Sequence, residues 1–154
     1  MQKLIATGLI ALNIFLSPTM TVRAQEVRKQ DCTAAIANAQ KRIETGRSVE
    51  VIVRSSEISQ EYPDHPADRL YQYKLLLQGN ASESIMNSPQ FMKLIAEPII
   101  NNCNTVGLVT FAVYQSGWNL SIGLMPEGKI DFFECLDHEG ATEKLKWGQE
   151  YCSL

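Results

Sequence analysis

The chain has 154 residues, of which 20% are charged, with a formal net charge of −3. This length corresponds to one domain, and its 14 Lys and Arg residues are scattered among 17 acidic residues. Because a surface that binds phosphate groups needs clustered cations, this charge pattern argues against nucleic acid and anionic membranes as partners.

The first 24 residues have the layout of a cleavable secretory signal peptide. Lys3 precedes an apolar stretch over residues 4–16, and the small-residue end Val22-Arg23-Ala24 precedes Gln25. The apolar stretch is about 13 residues long, whereas a membrane span needs about 20. We therefore expect an exported protein, periplasmic or secreted, whose mature part is one domain over residues 25–154 with no membrane span.

Residues 31–54 predict a helix followed by a strand. Residues 31–43 are rich in alanine and place Ile36, Ala39 and Ile43 at helical spacing. Asp31 is a suitable cap for the first turn, and Gly46 supplies a left-handed stop. Residues 49–54 alternate between valine and polar residues, which indicates a half-buried strand.

A polar loop and a second strand come next. Residues 55–68 include the run Tyr62-Pro63-Asp64-His65-Pro66, in which each proline excludes helix from the residue before it. Residues 70–77 alternate again, with Tyr71 and Tyr73 on the apolar face. The two strands are therefore expected to pair as a hairpin with a long connection.

The second half predicts a helix and a three-stranded meander. Ser88 and Pro89 begin a helix that ends at Asn101 and Asn102, and Pro98 is expected to kink or split it. Strands follow at residues 106–114, 118–124 and 129–135, and the polar tail has one helical turn around residues 141–147. The order α-β-β-α-β-β-β predicts an α+β fold, with an antiparallel sheet of about five strands and both helices on one face.

Four cysteines, an even number in a chain expected to be exported, predict two disulfides. Cys103 and Cys135 fall at opposite ends of parallel-running meander strands, so a bond between them is disfavoured. The favoured pairing is Cys32 with Cys103 and Cys135 with Cys152. The pairing of Cys32 with Cys135 and Cys103 with Cys152 stays open. Isolated cysteines lack the spacing of a zinc site.

The sequence has no catalytic or metal-binding motif, and it has no motif that predicts a cofactor. The chain has two histidines, His65 and His138, and no nucleophile elbow, phosphate loop or dinucleotide fingerprint. Asp64 and His65 in the polar loop, with Tyr71 and Trp118 on predicted strands, are candidates for a binding surface, because tyrosine and tryptophan on an open sheet face suit a sugar or a protein.

Three functions are compatible with these features. The first is a non-enzymatic exported binding or interaction module that uses the open sheet face or the loop at residues 55–68. The alternatives are a small exported hydrolase with carboxylate or His65 chemistry, and a structural component of the cell envelope. The partner expected for the module is an unidentified protein, small molecule or glycan.

Overall fold

A computed structural model of the chain describes residues 19–136 and 144–151, and for residues 19–30 it describes the backbone alone. The elements in these ranges, in chain order, are α1 (Thr19–Glu44), β1 (Glu50–Glu57), β2 (Tyr71–Gln78), α2 (Ser82–Met86), α3 (Pro89–Asn102), β3 (Val106–Val113), β4 (Asn119–Leu124), β5 (Ile130–Phe132), β6 (Glu134–Leu136) and β7 (Gln149–Tyr151).

The α+β class and the five-stranded sheet are confirmed, but the sheet is mixed. Its order is β1-β2-β3-β4-β5, and β1 pairs with β2 as the predicted antiparallel hairpin. β2 and β3 run parallel, so the expectation of a purely antiparallel sheet was wrong at this pair. The reason is that α2 and α3 connect the end of β2 to the start of β3, and such a crossover returns the chain in the same direction.

The main core lies between one face of the sheet and the helices α1 and α3. Side chains alternate between the two faces of a strand, and Leu75, Phe111 and Ile122 are fully buried on the helix face. They contact Ile43 of α1 and the buried stripe of α3, which consists of Met92, Ile95, Ala96, Ile99 and Ile100. The placement of both long helices on one face of the sheet is confirmed.

Helix α1 begins well before its predicted start. Asp31 lies inside the helix rather than at its N-terminal cap, so that part of the prediction was wrong. Gly46 follows the helix with a φ of 70°, as expected for a left-handed stop. The predicted cleavage point after Ala24 falls within the helical backbone.

Helix α3 continues through Pro98 without being split. Pro98 cannot donate a backbone hydrogen bond to the carbonyl of Leu94, but both residues lie on the exposed side of the helix, where solvent satisfies that carbonyl. The short helix α2 precedes α3 in the connection from β2.

The third meander strand is shorter than predicted, because the chain leaves the main sheet at Phe133. β5 ends at Phe132, and β6 pairs in parallel with β7 as a separate two-stranded sheet. The turn predicted around residues 141–147 falls partly outside the described residues, and its described part, residues 144–147, is not helical.

A disulfide joins Cys32 to Cys103, with 4.6 Å between the Cα atoms. It links α1 to the end of α3 and confirms the favoured first pair. Cys135 is also disulfide-bonded, but Cys152 lies outside the described residues, so the pair Cys135–Cys152 stays a prediction. In the ranges that the structure describes, no helix has the length and apolar character of a membrane span.

Candidate functional site

Two segments fold over the face of the sheet opposite the helices, here called the open face. The first is the covering loop, residues 58–70, which connects β1 to β2. The second is the C-terminal segment, residues 144–151. Their apolar side chains form a second cluster with the sheet, whose buried members are Ile58, Tyr62, Leu108 and Phe133 and whose partly buried members are Met125, Leu145 and Trp147.

Glycines on the sheet make room for the aromatic rings of this second cluster. A Cβ atom at Gly123 would overlap Cε1 of Phe133, and one at Gly107 would lie 2.8 Å from Cβ of Arg69 and 3.1 Å from Cη2 of Trp147. The rings of Tyr62, Phe133 and Trp147 pack edge to face, with centroids 5.0–5.5 Å apart, a favourable geometry for aromatic pairs.

Hydrogen bonds join the covering loop to the C-terminal segment. The backbone N–H of Trp147 donates to both carboxylate oxygens of Asp64, at 3.0 and 3.1 Å. The Tyr62 hydroxyl donates to the carbonyl of Gln149 at 3.0 Å. The indole N–H of Trp147 donates to the carbonyl of Leu124 at 2.8 Å. These bonds fix β7 relative to the open face.

Arg69 anchors the other end of the covering loop. One guanidinium nitrogen donates to the carbonyls of Ile100, Cys103 and Val106, at 2.7–3.0 Å. A cation at a helix C-terminus interacts favourably with the helix dipole and with carbonyls that lack helical partners. Arg69 therefore ties the loop to the end of α3, next to the disulfide.

Between the covering loop, the C-terminal segment and the sheet lies a polar cleft of about 180 Å³. The described residues that line it are Glu61, Tyr62, Gln72, Lys74, Leu108, Thr110, Asn119, Ser121, Leu145, Glu150 and Tyr151. Most of these side chains are polar, which is unusual for a space beside a protein core, where apolar side chains predominate.

A hydrogen-bonded network forms the base of the cleft. Thr110 donates to Oε1 of Gln72 at 3.2 Å, and its hydroxyl lies 3.0 Å from that of Ser121. The backbone N–H of Ser121 donates to Oε1 of Glu150 at 2.8 Å, and Asn119 Nδ2 donates to Oε2 at 3.1 Å. These bonds hold the Glu150 carboxyl against β4 in a fixed orientation.

Glu150 is a buried carboxyl, with only 3% of its surface exposed. Burial raises its pKa above the usual value, while the hydrogen bonds from Ser121 and Asn119 oppose that change and the nearby charge of Glu61 adds to it. Burial, with the charges of Glu61 and Glu150, also raises the pKa of the Tyr62 phenol. No ion pair joins Glu150 to any cation of the described ranges.

The predicted site residues do not form one surface. Asp64 binds Trp147, and Nδ1 of His65 lies 2.8 Å from the carbonyl of Pro66, so both side chains are engaged within the fold. Tyr71 is 42% exposed at the start of β2, beside Val106. Trp118 precedes β4, where its carbonyl accepts from Val113 at the far end of β3. None of these four lines the cleft.

Sequence reasoning missed the residues of the cleft itself. Gln72, Thr110 and Ser121 were recognisable as polar positions within strands, and alternation does place them on one face. Glu150 gave no such signal, because it lies within the polar tail of the sequence. Its strand partner in the structure is Cys135 of the small sheet.

The cleft offers hydrogen-bonding groups and charge. No group of three His, Cys, Asp or Glu side chains in residues 31–136 and 144–151 is arranged to hold a metal ion. Comparisons with known protein families, curated proteins and solved structures found no match for the chain.

Proposed function

We propose that this chain is a binding module that holds a small polar ligand, such as a monosaccharide, in the cleft of the open face. The observation that carries the proposal is the fixed network formed by Gln72, Thr110, Ser121, Asn119 and Glu150 beside an open space. Fixed hydroxyl, amide and carboxyl groups match the alternating donors and acceptors of a hydroxylated ligand. Preorganised groups also lose little entropy when a ligand binds.

The size of the cleft sets the size of the ligand. At about 180 Å³ it is smaller than the roughly 300–1,000 Å³ of pockets for drug-sized molecules. A single sugar ring or the end of a longer chain suits it better than a folded protein surface. The Tyr62 and Tyr151 rings at its wall add apolar surface against which a ring could pack.

The test compares thermal unfolding with and without millimolar glucose, glucosamine or glycerol. A ligand that binds only the folded state raises the midpoint of unfolding by an amount that grows with its concentration relative to its dissociation constant. Asn119→Leu removes a donor from the cleft, whereas Asn38→Leu on the exposed side of α1 is the matched control. We expect stabilisation of the parent and of the control, reduced in Asn119→Leu; equal shifts in all three would contradict the proposal.

Export to an oxidising compartment is part of the proposal. Its support is the leader-like pattern of residues 1–24 together with the Cys32–Cys103 disulfide, since such bonds persist outside the cytosol. The intact mass of the exported chain, alkylated before and after reduction, tests this. A chain that begins at Gln25 and labels only after reduction agrees with it, and a full-length mass or labelling without reduction contradicts it.

A carboxylate hydrolase is the second candidate. A buried carboxyl with a raised pKa is the property that a general acid needs, and Glu61 supplies a second carboxyl in the same cleft. Release of nitrophenol from nitrophenyl glycosides tests it, with Glu150→Gln as the critical variant and exposed Glu83→Gln as its control. No release by the parent chain, or equal release by both variants, would rule out this candidate.

A further inference from the structure

The charges around the cleft are unbalanced. Two carboxyl groups, Glu61 and Glu150, and one ammonium group, Lys74, line it, and its remaining titratable groups are the phenols of Tyr62 and Tyr151. When both carboxyls are ionised, the net charge of this described lining is −1. Lys74 forms no ion pair with either carboxyl.

The more buried of the two carboxyls is held by neutral donors. Glu150 accepts from a backbone N–H and from a side-chain amide, and a carboxylate has about four acceptor positions. Neutral donors orient a carboxylate but leave its charge uncompensated, and a buried charge without a counter-charge is costly. A cation that enters the cleft would supply this missing charge.

From this arrangement we infer that the ligand carries a protonated amine, which Glu150 binds at the base of the cleft with Glu61 at its rim. The inference rests on the proposed function and names the chemical class of its ligand. A small amino sugar or an amine-bearing metabolite fits this site. The hydroxyls of Thr110 and Ser121 and the amide of Gln72 line the same cleft and can bind the remaining polar groups of such a ligand.

The alternative, a neutral ligand bound through hydroxyl contacts alone, leaves the Glu150 charge without a partner. It also predicts no preference for a charged probe over a neutral one, whatever the acid–base state of Glu150. The two ligand classes therefore differ in how affinity depends on probe charge and on pH.

The experiment measures dissociation constants of glucosamine, glucose and N-acetylglucosamine by calorimetry or by amide NMR. Glucosamine has an amine where glucose has a hydroxyl, and N-acetylglucosamine has a neutral amide at that carbon. Where the amine is charged and Glu150 is ionised, we expect glucosamine to bind about tenfold more tightly than either neutral sugar, as a charge-assisted hydrogen bond implies. The preference should weaken as the pH falls and Glu150 takes up a proton.

Variants locate the effect. Glu150→Gln should remove most of the preference for glucosamine, and Glu61→Gln should reduce it while leaving the fold unaffected, since Glu61 is exposed. Glu83→Gln on α2 is the control and should retain it. If Glu150→Gln does not fold, Glu61→Gln and the pH dependence of the parent chain still test whether the ligand carries a protonated amine.

Two failures are distinguishable. If all three sugars bind at the cleft with equal affinity, the amine inference is overturned while the binding function stands. If none of them binds, and simple amines such as putrescine do not bind either, both the inference and the proposed function are overturned.

Discussion

Glu150 lies in a short strand near the end of the chain, yet its carboxyl reaches the centre of the open face. It does so because β7 pairs with β6, which continues directly from the last strand of the main sheet. The side chain then accepts hydrogen bonds from β4. The Glu150 side chain thereby adds a connection between the small sheet and the large one.

The titration of Glu150 affects stability in a direction opposite to that of most carboxyls. Its pKa is higher in the folded chain than the usual value of 4.5, so its stabilising contribution is complete below that value and is lost as the pH rises through the folded pKa. We expect the stability of the parent relative to Glu150→Gln to fall as the pH rises above 4.5, as measured by urea unfolding. Glu83→Gln should show no such trend, and a pH-independent difference for Glu150→Gln would contradict the assignment.

Asp64, a candidate for a binding surface, accepts a hydrogen bond from the Trp147 N–H with both of its oxygens. Removal of the carboxyl by Asp64→Ala leaves the Trp147 N–H without its partner, which should lower the free energy of unfolding by about 1 kcal/mol, the usual scale for one hydrogen bond. Tryptophan fluorescence should change as well. Asp68→Ala in the same exposed loop is the control; an equal effect of both substitutions would mean that the Asp64 contact is unimportant.

Asp131 has the more common behaviour of a surface carboxyl. Hydrogen bonds from Lys129 first, and also from the Phe132 N–H and from Lys93, lower its pKa to about 2. Its contribution to stability is present above the unfolded pKa and is lost as the pH falls towards 2. Because the ion pairs are partly exposed, we expect Asp131→Asn to cost less than about 1 kcal/mol at neutral pH. Urea unfolding at pH 7 and pH 2.5 measures this, and a larger cost at the lower pH would contradict it.

At the scale of elements, the contact between β4 and the aromatic cluster depends on the absence of a side chain at Gly123. A methyl group there would overlap the ring of Phe133, and overpacking costs about 1–3 kcal/mol. Gly123→Ala should therefore destabilise the chain by that amount in urea unfolding.

A double-mutant cycle separates this contact from a general effect on the strand. In the background of Phe133→Ala the ring is absent, so Gly123→Ala should cost less than it does in the parent. If the cost is the same in both backgrounds, the ring contact is not its cause.

The disulfide acts between two other elements, α1 and α3. In the chain-entropy model a bond across a separation of 71 residues stabilises by about 4 kcal/mol, an upper value. The double variant Cys32→Ala, Cys103→Ala should lower the free energy of unfolding by a few kcal/mol. A loss below about 0.5 kcal/mol would show that the packing of α1 and α3 holds them together without the bond.

At the scale of the whole molecule, local patterns predicted most elements of the main sheet. Strict alternation placed β1, β2 and β4 within one to three residues of their observed bounds, and the Ser88-Pro89 pair placed the start of α3. The topology was harder, because the parallel pairing of β2 and β3 depends on where α3 packs. Hairpin reasoning treats neighbouring strands as antiparallel and does not account for this crossover.

The cleft could not be predicted for a related reason. Its walls come from a loop and a C-terminal segment that are each irregular, and their positions follow from contacts between residues more than 80 positions apart, such as Tyr62 with Gln149. Aromatic residues on strands pointed to an open binding face, but the rings of Tyr62, Phe133 and Trp147 are used to build the cover. The polar residues between them form the candidate site.

The most direct measurement maps amide NMR shifts of the ¹⁵N-labelled chain during titration with glucosamine and glucose. We expect the shifts to concentrate on the amides of Gln72, Thr110, Ser121 and Glu150. Amides on the exposed side of α1 should stay unchanged. Shifts confined to the helix side of the sheet, or none for any probe at millimolar concentration, would contradict the claim that this cleft is the ligand site.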